Sequence, residues 1–571
     1  MKTFGFIFLL ILAILFTNCS SVKPGDSSEN GNTPALIKQG TATLLHTDNK
    51  PFILLGGELH NSSTAGFGYM RPIWKRMAES NLNAVIGTAS WELVEPEEGK
   101  YDFELVDSMI LGARKQGLKL VIIWFGSWKN SESTYAPGWV KLNQERFPLV
   151  RDENGNSLNI ITPLSEEASK ADARAFAAMM KHIKQIDFGN RTVLAIQVEN
   201  EMGTLHTKRD FSDAANIAFN GPVPSELMSY FSKNRASVHR GVHAVWEKNG
   251  LKNTGTWEEV FGKGELFEDW KDLSYLPEEL FMAWNYAKYV ERIAAAGKAE
   301  YNIPMYVNAW LKQPGRSGHA PGNYPSGGPT PQVLDVWRAG APSIDFIAPD
   351  IYIVDEFRYI CDQYTLSGNP LFIPETTGDA SSAARAFFAF GKYNTICYAP
   401  FGIDGNGTLG ADVNNTADIK DSYGTLKQLI PYIIHFQGSE NIGGLLVDDN
   451  SRVDSATIGG YKIKGFATRR YDPAAMGMPG SVQAQPQRNP AGGALIISTA
   501  PGEYLIAGRN MNISFSDGDP SSGMKVSFLS LEEGNFVESS WIPGRRLNGD
   551  EFRVVLPANR SMIYKVKLYK Y

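Results

Sequence analysis

Val193-Leu194-Ala195-Ile196-Gln197-Val198-Glu199-Asn200-Glu201 opens with four apolar residues and closes on two carboxylates flanking an amide. The run is too short for a helix and too continuously apolar for a sheet with one wet face. It predicts a strand buried on both sides, as parallel sheets require. Working outward, the same texture recurs upstream at 53–59, 84–89 and 118–125, and downstream at 304–309, 345–348, 370–373 and 395–399. Helical stretches at 69–80, 103–116, 166–185, 227–248 and 278–299 separate these runs, and another follows near 425–436. Eight strands alternating with helices, with no Gly-rich phosphate turn, predict an α/β chain built on a (β/α)₈ TIM barrel over residues 45–445 rather than a doubly wound sheet. Beyond it, short alternating runs at 495–498, 503–507, 525–531, 552–556 and 563–568 sit between Gly, Asn and Pro turns. They predict a small all-β sandwich over 446–571, read first as a buttress for the barrel.

The amino terminus has Lys2 and then an apolar stretch from Phe4 to Phe16, too short to span a bilayer, which predicts an export signal over 1–18. Asn18-Cys19-Ser20-Ser21 follows, and then a Ser-, Gly- and Asn-rich tract. Residues 19–44 read as a tether, and the Cys19 segment resembles that of a bacterial lipoprotein, which implies Cys19 as the lipid-bearing first residue of a cell-envelope protein facing the periplasm or the cell surface; plain secretion is the alternative. The 571 residues carry a formal charge of -6 without a dense basic run, which excludes nucleic acid as a partner. Eight His form no clustered ligand pattern, so no metal and no cofactor are expected. Cys361 and Cys397 are either a pair or two buried thiols. Nothing fixes the oligomeric state, and a homo-oligomer stays open.

In a barrel the chemistry gathers at the carboxyl ends of the strands. Strand four ends on Glu201, and strand seven runs into Ile373-Pro374-Glu375, so two distant glutamates face one mouth. Two carboxyls about 5 Å apart can run retaining glycoside hydrolysis, one as nucleophile and the other as acid and then base. Glu375 is assigned the first role and Glu201 the second. Asn200 is placed to meet a sugar 2-hydroxyl, and Tyr352, past strand six, to donate to Glu375. Glu199 shares the face of Glu201 one layer deeper, where a structural hydrogen bond is expected.

Gly56-Gly57-Glu58-Leu59-His60-Asn61 and Ser90-Trp91-Glu92-Leu93-Val94-Glu95-Pro96-Glu97-Glu98-Gly99-Lys100-Tyr101-Asp102-Phe103 resemble the beta-galactosidases of glycoside hydrolase families 35 and 42, most of all a bacterial branch of family 35 with a β domain of uncharacterised role after its barrel. The resemblance implies a carbohydrate substrate and release of terminal β-linked galactose from oligo- or polysaccharide side chains, with the two glutamates in the roles given above. Glu58, His60, Trp91 and Glu92 are candidates to bind sugar hydroxyls, and Trp128 and Trp310 to stack beneath a sugar ring. The alternatives are a β-glycosidase or endo-glycanase of another specificity in the same clan, and a surface glycan-binding lipoprotein without catalysis.

Overall fold

A computed structural model describes residues 33–264, 271, 276–314, 320–405, 416–468 and 490–571. The stretch expected to be an export signal, and Cys19, lie outside these residues.

Eight parallel strands close into a ring. The second, Ala84–Ser90, pairs with the third, Lys119–Lys129, which pairs with the fourth, Val193–Asn200. The fifth, Met305–Ala309, and the sixth, Phe346–Ile351, continue the sheet. Pro374 splits the seventh strand because it has no N–H to give a ladder. Phe372–Ile373 pairs forward with the eighth strand, Cys397–Tyr398, while Glu375–Thr376 pairs back with the sixth. The eighth pairs with the first, Leu54–Leu55, and parallel bridges from Glu58 to Ile86 and Phe401 complete the circle. The fold read from the eight apolar runs is therefore the one observed.

Inside the ring, Leu54, Ile86, Val121, Ile123, Leu194, Tyr306, Phe346, Phe372 and Cys397 form one buried cluster, so the lower barrel is filled by side chains. Leu45 joins that cluster from a hairpin, Ala35–Gln39 paired with Ala42–Thr47, whose Ala42 and Leu44 are also buried. This corrects the expectation of a tether through residue 44: residues 35–39 and 42–47 form a hairpin whose second strand buries Ala42, Leu44 and Leu45. The long helices Glu166–Asp187 and Pro277–Glu300 cover its outer face. The single helix expected over 227–248 is two, Ser225–Lys233 and Arg240–Lys248, separated by a turn in which the His239 amide donates to Asp335. Cys361 and Cys397 are unpaired and buried.

The carboxyl-terminal region stacks two antiparallel sheets, one of six strands and one of four, around Leu445, Ile463, Ile496, Ile506, Leu531 and Val566. Its first strand, Ile442–Val447, starts before residue 446.

Candidate active site

The fourth strand leaves its pleat as it reaches the mouth. Glu199 and Glu201 take φ of 62° and 44°, a left-handed conformation that costs a residue with a Cβ roughly 1–2 kcal/mol. Neighbouring strands hold both in place. The ladder between strands three and four slips between Trp124 and Lys129, and the freed amides of Ser127 and Trp128 donate to the Glu199 carboxylate at 3.0 and 2.8 Å. The Glu201 amide donates to Asn308 Oδ1 at 2.9 Å. Glu199 is also hydrogen-bonded to Asp172, which accepts from Trp124 Nε1 and Ser127 Oγ. Burial first, and the Asp172 charge next, push the Glu199 carboxyl well above the usual range. Glu199 is a deep anchor, the role its register predicts.

Glu201, Asp350 and Glu375 converge at the open end. One oxygen of each lies within 4.8 Å of one from each of the others. Asp350 and Glu375 are register partners on adjacent strands. Tyr352 Oη donates to Glu375 Oε2 at 3.0 Å, and Asn200 Nδ2 approaches Oε1 at 3.4 Å. Lys129 Nζ donates to Asn200 Oδ1 at 2.9 Å, which turns the Asn200 amide so that its N–H₂ faces Glu375. Burial, reinforced by the Glu375 charge, raises the Glu201 carboxyl to about 7. A carboxyl with that value keeps a proton to give near neutrality.

The remaining expected site residues divide. Glu58 is wholly buried beneath the mouth, its two oxygens without hydrogen-bond partners, and burial raises it well above the usual carboxylate range, with Glu375 adding to the effect. His60 Nδ1 lies 2.7 Å from Asp404, which also takes Ser63 Oγ. Trp310 is half-buried just past the fifth strand. Glu92 is part-exposed and 3.4 Å from Lys141, on a rim cavity shared with Asn61, Phe67 and Tyr135 rather than beside the carboxylates.

The expectation of sugar contacts from Trp91 and Trp128 is corrected, because neither ring is exposed. Trp128 donates to the Ile161 carbonyl and packs on Tyr286 and Tyr289; the slip at 124–129 turns it into the helical shell. Trp91 donates to Glu95, which also accepts from the Gly99 amide, so the Trp-Glu…Glu-Pro motif is a structural clasp. The sequence reading missed Asp350, Asn308 and Lys129. Asp350 had a visible signal, since it stands two residues before Tyr352 on the same strand end.

Among the described residues no other group of three acidic, His or Cys side chains brings its ligand atoms so close together. Donors from Asn200, Asn308 and Tyr352 already face these carboxylates, an arrangement suited to acid–base chemistry rather than to an oxygen cage for a cation.

Residues 69–308 match the family model described as Beta-galactosidase, that of glycoside hydrolase family 42, and residues 419–557 match one described as Domain of unknown function (DUF5597). Beta-galactosidase BbgII of Bifidobacterium bifidum is 31% identical over 152 residues, 25% of this chain and 20% of that protein. A beta-galactosidase of Xanthomonas manihotis is 26% identical over 245 residues, 38% of each. The chain thus spans well under half the length of these relatives. Among solved structures, a beta-galactosidase of the psychrophilic Marinomonas ef1 aligns with TM-score 0.44 and 13% identity over 66% of this chain and 60% of that one.

Proposed function

We propose, from the premise that residues 69–308 form a beta-galactosidase-family domain, that the protein is a retaining glycoside hydrolase releasing terminal β-linked galactose from oligo- or polysaccharide side chains. The observation that carries this reading is the approach of Glu201 and Glu375 oxygens to within 4.8 Å at the barrel mouth. That spacing suits a nucleophile facing an acid/base and leaves little room for the intervening water of an inverting site. Glu375 attacks the anomeric carbon while Glu201 gives its proton to the departing oxygen. Glu201 then draws a proton from water, whose oxygen displaces Glu375. Asn200, oriented by Lys129, meets the 2-hydroxyl.

A panel of nitrophenyl glycosides tests the sugar: turnover of the β-galactoside is expected, and turnover of polymers alone, or of another sugar alone, overturns the assignment. Glu375→Ala and Glu201→Ala are each expected to lower turnover about 10²–10⁴-fold or more, and azide with an activated substrate is expected to yield the α-galactosyl azide from the first and the β-galactosyl azide from the second. Unchanged turnover in either variant removes that residue from the mechanism. Export with a lipid on Cys19 completes the proposal. Labelled palmitate is expected to enter the wild-type chain and not Cys19→Ala; equal labelling of both refutes it.

A further inference from the structure

Asp350 has no part in the two-glutamate scheme, yet it stands inside it. It is 3% exposed and is the register partner of Glu375, with an oxygen within 4.8 Å of Glu201 and of Glu375. Asn308 Nδ2 donates to its Oδ2 at 2.7 Å, whereas Oδ1 is buried with no donor facing it. An Asp350 oxygen thus lies within 4.8 Å of a Glu201 oxygen with no donor between them, and two buried carboxyls this close attract each other only when one of them carries a proton.

The surroundings decide which form Asp350 takes. The carboxyls of Glu58, Glu201 and Glu375 act on it from strands one, four and seven, while the hydroxyls of Tyr306, Tyr352 and Tyr364 lie within its field. The Lys129 ammonium, which acts on Glu58 and Glu201, is bonded to Asn200. Carboxylates this close in a dry site do not all ionise.

Building on the retaining reading, we infer that Asp350 is a proton-holding positioning residue whose carboxyl donates a hydrogen bond to Glu201 and steadies the Glu201 anion between the two halves of the reaction. In the first half, the Glu201 proton moves to the leaving oxygen, the glycosidic bond breaks and Glu375 becomes an ester. Glu201 is then an anion, and the O–H of Asp350 is its partner. In the second half, Glu201 takes a proton from water, the water oxygen bonds to the anomeric carbon, and the ester electrons return to Glu375. Asp350 keeps its proton throughout. Burial and the Glu375 charge hold the Asp350 carboxyl well above its ordinary range, consistent with this role.

Two measurements test the inference, and the first needs no turnover. Unfolding stability against pH counts the protons lost on unfolding. If Asp350 is protonated in the fold, the fall in stability between pH 5 and 7.5 is shallower in Asp350→Asn than in wild type by about one proton; equal slopes overturn the inference. The second is kinetic. With a dinitrophenyl galactoside, Asp350→Ala is expected to lower kcat about tenfold or more and accumulate glycosyl-enzyme, and with an unactivated galactoside the basic limb of kcat/KM is expected to move upward. Asp350→Asn, which keeps a neutral donor, recovers most of that loss. Equal losses in both variants with an unmoved limb overturn the positioning role. A wild-type enzyme inactive on every galactoside would instead sink the proposed function, while the unfolding slopes still report on the proton.

Discussion

Glu201 ties activity and stability to the same proton. Its carboxyl is raised to about 7, so it is protonated below that pH and lost as a donor above it; kcat/KM is expected to fall on the basic side with a midpoint near 7. The sign for stability follows. A carboxyl whose folded value lies above its unfolded one favours the fold most at low pH, and that stabilisation is lost as pH rises toward 7. On the scale of its shift from 4.5 to about 7, the difference between pH 4 and pH 8 is about 3 kcal/mol. Glu201→Gln is therefore expected to abolish turnover of unactivated substrates while flattening the loss of thermal stability between pH 5 and 8. An unchanged slope would contradict the buried, protonated state. The two glutamates were legible in the sequence because each ends a countable apolar run. Trp91 and Trp128 were not legible as structural, since a Trp near a strand end reads alike whether it faces the mouth or the shell, and only the ladder slip at 124–129 decides it.

At the scale of elements, the mouth depends on how strands three and four are joined. Gly126 is hemmed in: a Cβ there would come within 2.4 Å of Trp124 Nε1 and 2.5 Å of Glu199 Oε1. Gly126→Ala is expected to push Glu199 off the amides of Ser127 and Trp128, lowering stability by about 1–3 kcal/mol and kcat with it. Denaturant titration alongside kinetics checks this, and a variant with wild-type values in both would show that the anchor is dispensable. The strands themselves were legible from continuous hydrophobicity, whereas the continuation of strand seven beyond Pro374 was not read. The ladder slip was not, because it depends on cross-strand partners that no local pattern encodes.

Across the whole molecule, barrel and sandwich share a core. Ile442, Leu446, Leu495, Ile497, Leu505 and Phe536 belong to the same buried cluster as the barrel's helical shell. Helix Ala380–Lys392 lies so close to the sandwich that a Cβ on Gly493 would fall 1.9 Å from the Ala384 carbonyl oxygen. Arg509, 2% exposed, reaches Asp418 and the carbonyls of Asp418 and Ala558, pinning strand Glu503–Arg509 to helix Thr416–Phe436. The two domains are expected to unfold in one transition. Arg509→Ala, which removes a buried guanidinium whose partners Asp418 and Asp421 are about a third exposed, is expected to cost about 1–3 kcal/mol. Two resolved calorimetric transitions in wild type, or a variant with unaltered midpoint, would contradict the shared core. The buttressing role expected of the sandwich matches this contact, whereas the depth of the contact was hidden in glycines that read from sequence as turn residues.

The most direct measurement of the central claim is to trap the nucleophile with a 2-deoxy-2-fluoro-galactoside bearing a good leaving group and locate the label by peptide mass spectrometry. The fluorosugar is expected on Glu375, in Glu201→Ala as well as in wild type. A label on Asp350 or Glu58, or galactose released with inverted configuration and no label at all, would contradict it.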